Sequence, residues 1–395
     1  MSRPMTALIP AALFPLLVSG CLGGSPEAAG EPDDEQTPHG YVEGAEETAE
    51  PQSRLVLADT DTGQVHLLDL ITEEVSELGE VPGVDGITGD GRFAYLHSSG
   101  DGTINVFDSG VWTVDHGDHN HYYRTGSAHV GSLDLPASPY VVTDTALTSV
   151  NGGAGGSLVL ERSELEDGSV TSADALPDEG AAAYPYKGVL VTVDSSDGTV
   201  RSTERDGTAA ESLGESCTDP DSAAPTRRGL VIGCAEGTLH VTEQDDTLEA
   251  EILPHPGQDR SGAFHHRPGS AVLAALPAED TLWVLDLAES EWREFEQPGA
   301  VAATAVGEEA PVLVLTEDGT LRSLDHETGE EEASTALLDV VDTEHPPTIQ
   351  ADASRAYVSD PESGVVHEID YNDDLRVART LDPGIAPHLM VETGR

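Results

Sequence analysis

The stretch Arg54-Leu-Val-Leu-Ala-Asp-Thr-Asp-Thr-Gly63-Gln-Val-His-Leu-Leu-Asp69 reads as two β-rich runs joined by a small polar turn containing glycine. The same pattern returns along the chain. It appears at Arg92–His97 with Gly102–Asp108, at Ala146–Val150 with Gly156–Leu160, and at Gly188–Val193 with Gly198–Arg201. Four more copies follow: Gly229–Cys234 with Gly237–Val241, Ala271–Ala275 with Thr281–Leu285, Pro311–Leu315 with Gly319–Leu324, and Arg355–Asp360 with Gly364–Ile369. The step between copies is about 40–44 residues apart from one long step after the second, a period that belongs to β-propellers. No helical periodicity of comparable length competes with it.

The expected fold is therefore all-β, an eight-bladed propeller over residues 54–395. Each repeated pair supplies the two middle strands of a blade. Outer strands are expected at Val75–Leu78 and Leu375–Thr380, for example. The first copy has no strand before its pair, whereas a spare strand, Pro387-His-Leu-Met-Val-Glu392, follows the last. The C-terminal strand is thus expected to complete blade 1 and close the ring, which removes open sheet edges. Seven blades are the alternative if the short glycine-rich copy near Gly152 fails to form a sheet.

Composition narrows the function. The 395 residues carry 74 Asp and Glu against 18 Lys and Arg, a formal charge of -56, with Lys187 the only lysine. Such a chain will not hold nucleic acid by neutralising phosphates, nor an anionic membrane by a basic patch. It can draw cations.

Residues 1–20 read as a signal peptide, with Arg3 ahead of an apolar stretch too short to span a bilayer. Val18-Ser-Gly-Cys21 has the form of a bacterial lipobox, so Cys21 is expected to be lipidated and to anchor an extracytoplasmic protein to the cell membrane, the lipid being its one membrane contact. Residues 21–53 are acidic and poor in apolar side chains, a tether. Of the three cysteines, Cys217 and Cys234 then remain in an oxidising compartment, where a disulfide is expected; a thiolate metal pair is the alternative.

Metal chemistry is indicated by an insertion in the second copy, Val111-Trp-Thr-Val-Asp115-His116-Gly-Asp118-His119-Asn-His121-Tyr-Tyr-Arg124. Three histidines and two aspartates fall close together on a loop, and neutral imidazoles suit zinc, copper or nickel. Aligning the copies also puts Asp85 and His388 at the starts of the inner strands of blades 2 and 1, with His97 ending a middle strand on the same face. Tyr140, Asp178 or Glu179, and Thr348 take the matching position in blades 3, 4 and 8. An imidazole and carboxylate set at the channel rim is a second zinc candidate. Blade connectivity sends the insertion out on the face opposite that rim, so either the loop folds back or there are two sites. His129, the pair His265 and His266, and the strand residues His66, His240 and His367 read as structural; His39 in the tether reads as incidental. No nucleophile elbow, phosphate loop or Cys-x-x-Cys is present.

The segment Gly110–Arg124 resembles the signature of the AztD-type zinc metallochaperones, as do the tail from Arg355 through His388 to Arg395 and the cysteine pair Cys217 and Cys234. That resemblance implies an exported β-propeller that binds zinc and hands it to the solute-binding protein of a zinc ABC transporter. It implies no catalysis and a monomer. Where the family carries further inner-strand histidines, this chain has Asp178-Glu-Gly180 and Asp219-Pro-Asp221, and carboxylates in place of imidazoles soften zinc preference at the rim. A metal-dependent propeller hydrolase or lactonase, and a metal-independent interaction propeller, are the competing readings.

Overall fold

Two adjacent side chains of one strand show how the ring is held. In Arg54–Ala58, Leu55 and Leu57 pack into a cluster with Tyr357, Val366 and Leu381 of the last blade, while Val56 and Ala58 pack with Ala94, Leu96 and Phe107 of the second. Side chains alternate across a strand, and here both faces of the sheet are covered by a neighbouring sheet. All four residues are fully buried. The middle strands therefore read as continuous apolar runs rather than as an alternation. Each buried Leu or Val is worth roughly 1.5–3 kcal/mol relative to exposure.

The computed structural model describes Val42 and residues 44–395 except 117–118, 135–138, 153–155, 172–180, 206–209 and 344. Eight antiparallel sheets follow one another as blades. Six of the eight have four described strands, and blades 3 and 6 have three. Blade 1 joins Leu389–Thr393 to Arg54–Ala58, Gln64–Asp69 and Val75–Glu80, so the C-terminal strand does close the ring. Met390 faces the last blade and Val391 the second, completing both clusters. Blade 2 consists of Gly86–Gly89, Phe93–Ser98, Thr103–Asp108 and Ala128–Asp134. The glycine-rich third copy does form a sheet, Tyr140–Thr143, Leu147–Asn151 and Ser157–Glu161, which gives eight blades rather than seven. A one-turn helix, Arg162–Glu166, follows it and buries Leu165.

The turn glycine of the repeat has a steric cause. Gly63 and Gly319 hold φ of +77° and +79°, and a Cβ there would stand 2.8 Å from the Val81 carbonyl oxygen and 1.9 Å from that of Leu338. A side chain would suffer both the left-handed backbone and the collision. In the sixth copy, which lacks the glycine, Asp280 takes the left-handed conformation instead.

Blade 6 departs from the pattern. Where an inner strand is expected, His265 and His266 make only isolated bridges, to Ala274 within the blade and to Ala305 of the next. Cys217 and Cys234 form the disulfide, both buried in the core cluster between blades 4 and 5, so they are not a thiolate metal pair. A ninth sheet lies outside the ring: Val111–Asp115 and Asn120–Arg124 form a hairpin, and Glu46–Thr48 adds to its edge. Glu46–Thr48, within the stretch read as tether from the sequence, is thus a strand. The hairpin edge offers unpaired backbone groups, which the passing chain satisfies. The signal peptide, Cys21, His39, Asp118, Asp178 and Glu179 lie outside the described residues. No described helix is long and apolar enough to cross a membrane.

Candidate metal site

The histidine insertion is a hairpin built on a clamped root. Arg92 pairs with Asp108 at 2.9 Å, and its guanidinium lies over the Trp112 ring at 3.9 Å. Trp112 in turn stacks on Tyr123 across the hairpin at 5.3 Å. Buried charge pairing and cation–π contact of this kind fix geometry as much as they stabilise. The hairpin register pairs Val111 with Arg124 and Asp115 with Asn120, and the His116 amide donates to the His119 carbonyl at 3.0 Å. The tip therefore doubles back tightly, and it gathers the three imidazoles.

Their ring centroids are 5.2 Å apart for His116 and His119, 5.1 Å for His116 and His121, and 4.9 Å for His119 and His121. The Nε2 atoms of His119 and His121 are 3.0 Å apart. Two imidazole nitrogens on one tetrahedral zinc ion stand about 3.3 Å apart, from bonds of about 2.0–2.1 Å. The pair needs only a small opening to share an ion. His121 is nearly buried, whereas His116, His119 and Asp115 are exposed at the tip.

Glu47 is the residue that sequence reasoning missed. Its Oε1 lies 2.6 Å from His121 Nδ1. A carboxylate on Nδ1 places the proton there and turns the Nε2 lone pair toward the metal side, the arrangement that orients metal-bound histidines in proteins. Glu47 belongs to a strand of three residues with no apolar alternation, so the sequence carries no signal for it. Beside it, Arg124 pairs with Glu46 at 2.8 Å on the open surface.

The rim candidates lie at the other end of the blades. Gly86 pairs with His97 while Phe93 pairs with Asp108, so Asp85 and His97 sit at one end of blade 2 and the hairpin leaves from the opposite end. In blade 1, Leu389 pairs with Ala58 and Thr393 with Arg54. Arg54 donates to the Ser109 carbonyl at 2.6 Å, and the Gly394 carbonyl accepts from Thr113 at 3.3 Å, both at the hairpin's root. His388 is therefore separated from the hairpin by the length of a strand, roughly 17 Å for five residues. Of the two arrangements open from the sequence, one joined site or two separate places, the strand direction keeps Asp85 and His388 at the end of the blades away from the hairpin's root.

Nor do the rim residues meet as one set. Asp85 pairs with His97 at 3.3 Å, and His388 stands 3.5 Å from Asp59. His97 is buried, and its Nε2 has no hydrogen-bond partner in the structure. The Thr60 amide donates to His388 Nδ1 at 3.3 Å, which leaves Nε2 as the protonated nitrogen when the ring is neutral. Tyr140 bonds the Tyr184 hydroxyl at 2.8 Å, and the Thr348 amide donates to Ser359 at 2.9 Å; both are structural. Asp219 and Asp221 are held by Arg260. His66, His240 and His367 are held by the Pro383 carbonyl, the Arg228 carbonyl and Asp360, and His129 packs on Phe107. Among the described residues no three His, Cys, Asp or Glu side chains already stand in metal-holding geometry.

No family model matches this chain, and no curated protein matches it. Solved structures do. The crystal structure of Citrobacter koseri AztD matches with a TM-score of 0.69 at 18% identity, covering 88% of this chain and 99% of that one. Apo AztD from the same organism matches with a TM-score of 0.70 at 18% identity, covering 87% and 98%. The dihydro-heme d1 dehydrogenase NirN matches more loosely, with a TM-score of 0.53 at 16% identity over 85% of this chain and 74% of that one. The chain has the fold of AztD, an eight-bladed propeller closed by its last strand.

Proposed function

We propose that this protein is an extracytoplasmic zinc metallochaperone that captures zinc at the histidine hairpin and passes it to the solute-binding protein of a zinc ABC transporter. The convergence of His116, His119 and His121 on one clamped tip carries the reading. The AztD-like fold and the resemblance of Gly110–Arg124 to the zinc metallochaperone signature support it. Zinc is cargo here rather than a resident cofactor. His121 is the oriented ligand, set by Glu47; His119 shares the ion, and the exposed His116 reaches it first. Asp115 and Asp118 lower the charge of the bound complex, and they set a local field that favours cations. An exposed tip suits transfer, because a partner's ligands can reach the ion before the donor's have all let go.

The rim is assigned a structural role, with Asp85, His97 and His388 fixing the ends of inner strands in blades 1 and 2. The disulfide fits an oxidising compartment, and Cys21 would supply the lipid anchor. The test is transfer. Zinc-loaded protein mixed with the metal-free solute-binding protein in the presence of a competing chelator should pass zinc faster than the chelator takes it from solution. Transfer no faster than release to solution contradicts a chaperone, even if zinc binds.

A further inference from the structure

The turns that lead into the second strands of blades 5 to 8 line an open cavity of about 560 Å3. It opens at the same end of the ring as the histidine hairpin, since each of these turns corresponds to Asp90–Arg92 in blade 2. Its charge is opposite to that of the chain. Arg227 and Arg228 come from the blade 5 turn, Arg267 from that of blade 6, and Glu308 and Glu309 from that of blade 7, while Ala353 of blade 8 leaves space beside Tyr371. Three arginines thus line one pocket in a chain with about four times as many acids as bases.

Their pairing leaves a surplus. Arg227 and Arg228 share the single carboxylate of Glu308, at 3.5 and 3.1 Å. Arg267 donates to the Val306 carbonyl at 2.6 Å and forms no carboxylate ion pair among the described residues. Arg267 is electrostatically coupled to two partly buried residues, Arg395, whose Nε has no partner, and His266, whose Nδ1 has none. Burial pushes His266 down to about 4, helped by Arg395, His265 and Arg267, so this ring supplies no extra charge at neutral pH. Guanidinium groups recognise carboxylate and phosphate through paired N–H donors, and the cavity has the size of a small-ligand site.

We propose that this pocket binds a small oxyanion, a carboxylate or phosphate group held by Arg267 together with Arg227 and Arg228. Glu308 is the internal competitor, occupying in the free protein the guanidinium donors that the ligand would use. The inference stands apart from the zinc reading, since none of these residues belongs to the hairpin.

The experiment is calorimetric titration of the mature protein, stripped of metal, with inorganic phosphate and with succinate at constant ionic strength. Saturable binding of at least one is expected, and which one binds identifies the group recognised. Arg267→Met should weaken that binding by at least about tenfold, the worth of a charged hydrogen bond. Glu308→Gln should tighten it by freeing two guanidinium groups, a change of opposite sign that a merely structural role would not give. No saturable binding of either anion, or binding left unchanged by Glu308→Gln, overturns the proposal.

Discussion

Replacing Glu47 by Gln tests whether a residue outside the ring tunes the metal site. The side chain sits 2.6 Å from His121 Nδ1, a distance that belongs to a charge-assisted hydrogen bond. Gln keeps an acceptor but removes the negative charge that makes His121 a better donor to metal. Loss of such an outer partner costs about 10- to 100-fold in metal affinity, or about 1.4–2.7 kcal/mol. Glu47 is 47% exposed, so solvent screens it and the lower end applies. Glu47→Gln should therefore weaken zinc about tenfold, and Glu47→Ala, which also loses the acceptor, should approach the upper end. Glu46→Gln is the control: its ion pair with Arg124 is exposed and touches no histidine, so the change should be less than about twofold. The assay is competition against a chromophoric zinc chelator near pH 7.5. Equal affinity for wild type and both Glu47 variants, or an equal loss in Glu46→Gln, would refute the assignment.

Other consequences concern the ring. Glu392 lies fully buried on the closing strand, and burial pushes it up to about 7 from 4.5, with Asp352 adding and Arg395 opposing. The folded state then holds a proton that the unfolded chain releases between about pH 4.5 and 7, so this group costs stability as pH rises through that window, about 3 kcal/mol in all. Glu392→Gln should lose that slope, gaining on wild type from pH 4.5 to 8 in denaturant titrations; parallel curves would contradict the burial argument. Breaking the Cys217–Cys234 bridge by a double Ala substitution, across a separation of 17 residues, should cost about 3 kcal/mol in the same measurement. Deleting residues 388–395 removes the strand that closes blade 1 and should abolish the cooperative thermal transition, whereas an unchanged melting curve would mean that the ring closes without it.

The propeller was legible because its middle strands face a neighbour on both sides. Leu55-Val-Leu-Ala58 has no alternation to obscure, and the turn glycine marks each copy through a steric need. Ring closure was legible from one missing strand and one spare. Less was visible where tertiary context overrides local pattern. His265 and His266 occupy an inner-strand position without forming a strand, and Arg162–Glu166 is a helical turn after blade 3. The histidine tip was legible as a cluster, but its depth was not: His121 is nearly buried only because Tyr123 and the Glu46–Thr48 strand lie beside it. That strand has no apolar period, so Glu47 could be found only by folding the chain. The opposite placement of hairpin and rim follows from strand direction, which the pairing registers of blades 1 and 2 make explicit.

The most direct test of the account is equilibrium zinc binding by the mature protein and two variants. One replaces His116, His119 and His121 by Ala; the other carries Asp85→Asn and His388→Gln at the rim. If the hairpin is the capture site, the first variant loses its tight zinc while the second keeps wild-type stoichiometry and affinity. Retention of tight zinc by the first variant, or its loss from the second alone, would contradict the account.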